Sequence, residues 1–234
     1  MSRLRHENKY LISASQAEII RSCAQAVMNR DTHSGNRGLY HIRSLYFDTP
    51  YDYFCHENEA GVDNRRKFRI RTYGDSNNIR MEIKSKICGM TGKESCWITE
   101  EQFEKIVSGE TLLPEGDRLS AWNKFITARN DMPLIPAVTV DYDREAFTYP
   151  DGNVRVTFDT CIMSSDRFDT FFDKTVIGRP VLPTGQTMLE VKYDEFIPDF
   201  ILNALSIKNL QMTAFSKYYL CRKFDFSGRE INGY

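Results

Sequence analysis

The sequence predicts an α+β fold built around a largely antiparallel sheet with flanking helices. Segments with the period-two alternation of strands outnumber segments with a helical period, and no long stretch of Pro, Gly or Ser divides the chain. The chain has 234 residues, 41% of them hydrophobic, which is enough to bury a sizeable core. We therefore expect residues 1–234 to form a single domain.

The first part of the chain alternates strands with short helices. A strand is predicted at HENKY, and the cap-like SASQAE begins a helix over 13–29 in which apolar residues recur on one side. The strand at 41–50 alternates until Thr49-Pro50 breaks it. The elements predicted next are a helical turn at 52–58 and strands at 64–73, 78–87 and 96–99.

The second part follows the same pattern. Helical spacing of apolar residues predicts helices, and alternation predicts strands. In chain order we expect helices at 99–110 and 119–128, strands at 137–148, 154–159 and 188–193, and helices at 196–209 and 213–222.

Composition excludes several classes of function. A formal net charge of −1 gives no overall field toward nucleic acid or anionic membranes. The six cysteines are scattered without a CxxC pair or clustered His, which disfavours a zinc site and indicates reduced thiols in a cytoplasmic protein. The polar N-terminus is not a signal peptide, and no window approaches the ~20 apolar residues of a membrane helix. A membrane role would need a membrane-protein partner.

The stretch NRRKFRIRTY, residues 64–73, concentrates five cations in seven positions. In an extended strand Arg65, Lys67, Arg69 and Arg71 share one face, and the apolar Phe68 lies on the other. Like charges that neighbour each other on one face repel, so a purely structural sheet gains little from them. The alternative is a solvated edge strand whose charges discourage aggregation.

Three other predicted strands repeat this pattern of one charged and one apolar face. Their charged faces carry Arg80, Glu82, Lys84 and Lys86; Arg155, Thr157 and Asp159; and Glu190 and Lys192. An open sheet could place these charges in water, but they also suit a closed barrel with a polar lumen.

A confined lumen this basic requires an anionic ligand. Arg forks and Lys ammonium groups at that density match phosphate oxygens. The carboxylates Glu7, Glu82, Asp159 and Glu190 could be ion-pair partners, or they could hold Mg²⁺ or Mn²⁺, which bridge phosphates. The sequence has no GxxxxGK[ST] P-loop and no Ser, His and Asp set. Tyr40 and Tyr46 are predicted to be core residues.

An ordered set of motifs over residues 3–223 resembles the catalytic domain of the vacuolar transporter chaperone (VTC) polyphosphate polymerases. These belong to the triphosphate tunnel metalloenzymes, which are related to the CYTH group. The motifs are HENKY with Glu7 and Lys9, the RxKxRxR run at 65–71, EIKSK, YDREAF, VRVTFDT, LEVKY and FSKYYLC.

The resemblance implies a closed antiparallel β-barrel, the triphosphate tunnel, that binds ATP and a growing polyphosphate or other oligophosphate and uses Mn²⁺ or Mg²⁺. It implies that the metal ligand is Glu190, with Glu7, Glu82 and Asp159 as alternatives. The implied phosphate-binding set is Lys9, Arg69, Arg71, Lys84, Arg144, Arg155 and Lys217. Arg65, Lys67, Lys86 and Lys93 form a second rank.

The chain departs from the family in the strand that follows EIKSK. The polymerases have a lumen lysine there, whereas this chain has TGKESCWIT, with Trp97 near the expected place and Lys93 a few residues earlier. Either Lys93 takes the role in a shifted register or the lysine is missing, because a slip of one residue reverses the facing of a strand.

The resemblance to the VTC polymerases implies a metal-dependent polyphosphate polymerase that transfers the γ-phosphate of ATP to the chain end. A hydrolase of the same fold and a non-catalytic polyphosphate-binding module are the alternatives. The shortness of the chain indicates a stand-alone version of the domain.

Overall fold

The computed structural model describes residues 4–32, 38–74, 78–173, 175, 177–214 and 216–223. The strands within these residues, in chain order, are β1 His6–Ser13, β2 Asn29–Arg30, β3 Tyr40–Asp48, β4 Arg65–Tyr73, β5 Ile79–Ile87, β6 Met90–Ile98, β7 Ile135–Tyr149, β8 Val154–Ser165, β9 Arg179–Pro180 and β10 Gln186–Tyr193. The helices are α1 Ala14–Val27, α2 Tyr53–Glu59, α3 Glu100–Val107, α4 Ala121–Asp131, α5 Asp199–Ala204 and α6 Lys217–Lys223.

All ten described strands belong to one antiparallel sheet. Its path runs β1-β10-β8-β7-β3-β4-β5-β6, with β2 paired to β7 and β9 paired to β8. This α+β architecture with an antiparallel sheet confirms the predicted class. The path leaves β1 and β6 as its two ends, so the pairing does not establish the closed barrel that the sequence predicted.

One isolated bridge joins those two ends in the part of the chain that the structure describes. The Arg5 N–H donates to the Thr91 carbonyl at 3.0 Å, and the Thr91 N–H donates back to the Arg5 carbonyl at 2.9 Å. We call this pair of hydrogen bonds the seam. It is shorter than a ladder, but it brings the first and last strands of the path into contact.

The helices cover the apolar face of the sheet. α1 and α5 pack over β1, β8 and β10 in a cluster that includes Ile20, Phe158 and Leu189. α3 and α4 pack over β3, β4 and β5 in a second cluster that includes Phe68 and Phe125. Burial of these side chains is the main favourable term in folding. Because alternate residues of a strand face opposite ways, burial of the apolar side chains on one face places the charged residues on the other face.

Sequence patterns located most of the elements. The predicted helix at 13–29 is α1, and Ser13 and Gln16 form the capping box that its first residues suggested. Several strands are longer than predicted, and the largest differences are in β6, by six residues at its start, and in β8, by six at its end. The helix predicted over 196–209 is the shorter α5 followed by a 3-10 turn, Ile207–Asn209.

Candidate functional site

The charged face of the sheet lines three neighbouring cavities, which share some of their lining residues. The lysine-rich cavity, of about 300 Å³, is bordered by Lys9, Arg65, Lys67, Lys84 and Lys86 together with Glu7. The arginine-rich cavity, of about 340 Å³, is bordered by Arg5, Arg69, Arg71, Arg144 and Arg155, with Lys84, Lys93 and Lys192. A central cavity of about 70 Å³ lies between them and shares lining residues with both.

The register of β4 and β5 explains this gradient from lysine to arginine. Across the two strands Arg65 lies opposite Lys86, and Lys67 lies opposite Lys84. The next pair on the same face is Arg69 and Glu82. At one end of the strand pair, cations therefore lie opposite cations. In the middle of the pair, the carboxylate of Glu82 lies opposite Arg69.

Glu82 holds the guanidinium groups in the middle of β4. The carboxylate is fully buried and contacts Arg69 Nη2 at 2.6 Å and Lys93 Nζ at 2.9 Å. Burial alone would raise the pKa of Glu82, but the charges of Arg69, Arg71 and Lys93 outweigh it and hold the pKa well below the usual range. Glu82 is therefore an ionised partner that fixes neighbouring cations.

Strands β1 and β10 carry charges in a checkerboard. Glu7 lies opposite Lys192, and Lys9 lies opposite Glu190, so like charges occupy the diagonals. Glu7 contacts Lys9 at 2.7 Å, Lys84 at 2.8 Å and Lys192 at 3.6 Å. Glu190 pairs with Lys192. The contact between Glu7 and Lys84 crosses from β1, one end of the sheet path, to β5, the strand next to the other end.

A third group of charges lies where α6 meets the sheet. Both carboxylate oxygens of Asp159 on β8 accept hydrogen bonds from Arg144 on β7, at 2.6 and 2.7 Å. Lys217 Nζ of α6 lies 2.5 Å from Asp159 Oδ2 and 4.0 Å from Glu190. The ammonium also lies 4.9 Å from the centroid of the Tyr142 ring. Lys217 thus joins the central cavity from outside the sheet.

The lowered pKa values of two lining lysines, Lys84 and Lys67, show that their surroundings disfavour additional positive charge. Burial lowers the pKa of Lys84 to about 7. Burial and the nearby charges of Lys9 and Lys84 lower the pKa of Lys67 well below its usual value. Lys67 Nζ donates to Asn58 Oδ1 and Ser216 Oγ, which are neutral partners. These ammonium groups would be stabilised by an anion in the cavity.

The structure brings nearly all the sequence-predicted residues to one interior. Lys9, Arg69, Arg71, Lys84, Arg144, Arg155, Lys217, Arg65, Lys67, Lys86, Lys93, Glu190 and Glu7 border at least one of the three cavities. Glu82 and Asp159 lie directly behind them as ion-pair partners. Their roles in binding remain predictions, because placement alone does not identify a ligand.

The geometry of β6 gives Lys93 a place in this interior. Lys93 lies opposite Lys84, donates to Glu82 and borders the arginine-rich cavity. Trp97 lies further along the same strand, is 57% exposed and stacks on the Arg80 guanidinium at 3.9 Å from the ring centroid. Of the two residues, Lys93 is the one that reaches the cavity.

Several lining residues were missed by the analysis of the sequence. Lys192 borders the arginine-rich and central cavities, and Arg5 borders the former. The sequence placed Lys192 on the charged strand face with Glu190, but the predicted binding set did not include it. Tyr46 was predicted to be a core residue, and it is buried, but its hydroxyl also accepts from Arg69 at 2.9 Å and borders the central cavity.

The acidic residues fit a metal site in which one or two carboxylates are completed by water and phosphate oxygens, and not a site built from three or more protein ligands. Among the described residues no group of three or more His, Cys, Asp or Glu side chains is arranged to hold a metal ion. Mg²⁺ usually takes one or two carboxylates and completes its shell with water and substrate phosphates. Both oxygens of Asp159 accept from Arg144, whereas Glu190 borders the central cavity. Glu190 therefore fits a site that phosphate oxygens complete.

No described helix combines the length and the apolar character needed to cross a membrane.

Comparisons with known proteins agree with this architecture. A putative adenylate cyclase from Bacillus halodurans is 16% identical, with a TM-score of 0.52 over 91% of this chain and 94% of that one. A putative adenylyl cyclase from Hippeastrum, described as having a dominant triphosphatase activity, is 13% identical, with a TM-score of 0.53 over 95% and 96%. At these identities the likeness shows the fold. A search of curated proteins finds no match.

A model of the VTC domain family matches residues 4–224. This match covers nearly the whole chain and agrees with the resemblance seen in its motifs. The fold family to which such domains are related implies a divalent metal. The protein belongs to the VTC domain family.

Proposed function

We propose that this protein is a metal-dependent polyphosphate polymerase, a phosphotransferase that moves the γ-phosphate of ATP to the end of a polyphosphate chain. The observation that carries the proposal is that arginine and lysine side chains line all three of the neighbouring cavities, which share lining residues. A single nucleotide would need one such cavity. A lining that continues from the arginine-rich to the lysine-rich end suits a chain of phosphates.

The proposal includes a closed tunnel. Two contacts across the gap between the ends of the sheet path support it: the backbone hydrogen bonds of the seam, which join β1 to β6, and the ion pair of Glu7 on β1 with Lys84 on β5. A closed wall would keep bulk water from the phosphates and strengthen each charge interaction. The single domain over 1–234, the cytoplasmic location and the membrane-protein partner stay predictions from the sequence.

Phosphoryl transfer needs in-line positioning and charge neutralisation more than covalent chemistry by the protein. Arg69, Arg71 and Arg144 would hold the triphosphate of ATP, because their guanidinium groups are fixed by carboxylates and hydroxyls and can pair bidentately with phosphate. Lys67 and Lys84 would hold the acceptor chain as point charges. A terminal phosphate oxygen of the chain would attack the γ-phosphorus, and the bond to ADP would break.

Glu190 would hold the divalent metal, Mn²⁺ or Mg²⁺, together with phosphate oxygens. When bound, the metal supplies positive charge that neutralises the transferring phosphoryl group. In the free protein Lys192 pairs with Glu190. We expect that ammonium to move to phosphate when the carboxylate takes the metal.

A hydrolase is the second candidate. The Hippeastrum protein with a described triphosphatase activity shares the fold, which supports an activity on triphosphates in which water replaces the acceptor chain. The charge arrangement holds the donor equally well for either acceptor. The two activities differ in whether a second phosphate chain can occupy the lysine-rich cavity during transfer.

One incubation separates the alternatives. The purified protein is incubated with ATP and Mn²⁺, and the products are resolved on a polyacrylamide gel and by orthophosphate assay. Long phosphate chains with ADP release support the polymerase. Orthophosphate without chains would support the hydrolase, and binding without turnover would support a non-catalytic module.

A further inference from the structure

Lys217 differs from the other cations of the central cavity in where it is anchored. Lys9, Arg69, Arg71, Lys84 and Arg144 project from strands whose ladders fix their Cα positions. Lys217 is the first residue of α6, a helix outside the sheet. The position of its ammonium group therefore depends on how α6 is held against the rest of the protein.

The next residue, Tyr218, connects α6 to a rigid point. Its ring is 2% exposed, and its hydroxyl donates to the carboxylate of Asp48 at the end of β3. Asp48 is fully buried, and its two oxygens also accept from the backbone N–H groups of Thr49, Phe54 and Cys55 at 2.7–2.9 Å. A carboxylate held by three backbone donors has little freedom to move.

The remaining anchors of α6 lie further from the cavity. Arg222 pairs with Asp52 at 2.6 Å, and the Tyr219 hydroxyl donates to Glu59 at 2.6 Å. Both contacts join α6 to α2 and to the residue that precedes α2, on the outer side. The bond between Tyr218 and Asp48 is thus the buried anchor adjacent in sequence to Lys217.

We propose that Tyr218 is a positioning residue, whose hydrogen bond to Asp48 places the Lys217 ammonium in the central cavity for phosphate binding. The inference rests on the proposed function, because it assigns Lys217 a phosphate. Tyr218 itself does not border the three cavities, so it acts on phosphate through Lys217. Burial together with the Asp48 charge raises the pKa of Tyr218 well above its usual value, which keeps the hydroxyl proton in place as the donor.

A double-mutant cycle tests this dependence. Tripolyphosphate binding is measured by isothermal titration calorimetry for the wild type, Y218F, K217M and the double variant. Phe keeps the ring, whose centroid lies 5.1 Å from that of the Tyr46 ring, and removes only the hydroxyl. We expect Y218F to weaken binding about fivefold to tenfold in the wild type and less than about twofold in K217M. Equal losses in both backgrounds would overturn the inference.

Y219F is the matched control. It removes the hydroxyl of a neighbouring tyrosine in the same helix, which also donates to a carboxylate. The variant therefore loses one anchor of α6 but keeps the buried anchor between Tyr218 and Asp48. We expect its affinity to equal that of the wild type within twofold. A loss in Y219F as large as that in Y218F would show that general loosening of α6 is responsible, and the role assigned to Tyr218 would be wrong.

A second measurement needs no phosphate. Lysines are labelled by reductive ¹³C-methylation, and the Lys217 signal is assigned from its absence in K217R. We expect this signal to shift in Y218F and to stay in place in Y219F, because the ammonium leaves Asp159 when its helix loses the buried anchor. An unchanged signal in Y218F would refute the positioning role even if the wild type binds tripolyphosphate. Absence of binding in the wild type would refute the proposed function instead.

Discussion

Lys67 and Lys84 lie directly opposite each other across β4 and β5, and both border the lysine-rich and central cavities. Two ammonium groups on one strand face repel when no anion is near. In the free protein Lys84 contacts the Glu7 carboxylate, and Lys67 donates to Asn58 and Ser216. This pair makes the binding of phosphate sensitive to pH.

The first prediction concerns affinity. Since the Lys84 pKa is about 7 and that of Lys67 is also lowered, part of the lysine charge is absent above neutral pH and must be restored when an anion binds. We expect tripolyphosphate to bind more weakly from pH 7 to 9, by up to about tenfold per pH unit for each lysine recharged.

Calorimetry in two buffers with different ionisation enthalpies will measure the accompanying proton uptake. K84M should show a flatter profile; an identical profile would contradict the assignment.

Stability of the free protein should change in the opposite direction. The folded pKa of Lys84 lies below that of an unfolded lysine, about 10.4, so the unfolded state binds more protons between pH 7 and 10. The contribution of Lys84 to the free energy of unfolding therefore rises with pH through this window. Urea denaturation of the wild type and K84M at pH 7 and 9 measures it as a difference. Equal pH dependence in both proteins would contradict it.

Replacement of Glu82 should separate its structural role from binding. E82Q leaves Arg69, Arg71 and Lys93 without their buried carboxylate, so we expect a loss of about 3–5 kcal/mol in the free energy of unfolding. Urea denaturation measures this loss. E94Q is the matched control, because Glu94 pairs with Lys124 in a partly exposed position and should cost about 0–1 kcal/mol.

Phosphate should compensate part of the E82Q defect. Tripolyphosphate in the arginine-rich cavity can supply negative charge to the cations that have lost their carboxylate partner, so the ligand should raise the unfolding temperature of E82Q more than that of the wild type. Thermal unfolding with and without tripolyphosphate measures the two shifts. A smaller shift in E82Q would indicate that the carboxylate is needed to arrange the cations for binding.

The sequence predicted strand faces better than strand ends. Alternation assigned Arg69, Glu82 and Lys84 to the charged face because the period of two is fixed by backbone geometry, and the structure places them so. The extension of β8 to Ser165 was missed because Cys161 interrupts the alternation with φ near 51°, where the strand pairs irregularly with β7. Such an irregularity depends on the partner strand, which no local pattern contains.

The candidate site was predictable one strand at a time but not as an assembly. Lys9 lies opposite Glu190 because of the register of β1 and β10. The sequence alone does not show which strands pair, so this contact could not be predicted from it. The place of Lys217 is set by the packing of α6, which includes the buried hydrogen bond between Tyr218 and Asp48. Long-range contacts of this kind are set by the whole core.

Glu190 offers the test of the metal. E190Q removes a carboxylate charge and keeps the shape, so we expect metal-dependent turnover of ATP to fall by about 100-fold, equivalent to about 2.7 kcal/mol of transition-state stabilisation. Tripolyphosphate binding without metal should not weaken, because the substitution removes a negative charge from the cavity lining. E101Q, at an exposed carboxylate that pairs with Lys105, should leave turnover unchanged. Full turnover by E190Q would exclude Glu190 as the metal ligand.

The seam between β1 and β6 allows the proposed tunnel to be opened selectively. Thr91 donates its N–H to Arg5, not to the hairpin partner β5, so T91P should break the seam and leave the β5 and β6 ladder intact. We expect T91P to weaken tripolyphosphate binding and to expose the Lys84 and Glu7 pair to solvent. T91A, which keeps the N–H, should bind as the wild type does.

Calorimetry gives the affinities, and hydrogen exchange at the Arg5 amide reports whether the seam has opened. Faster exchange at Arg5 with unchanged affinity would show that binding does not require a closed wall.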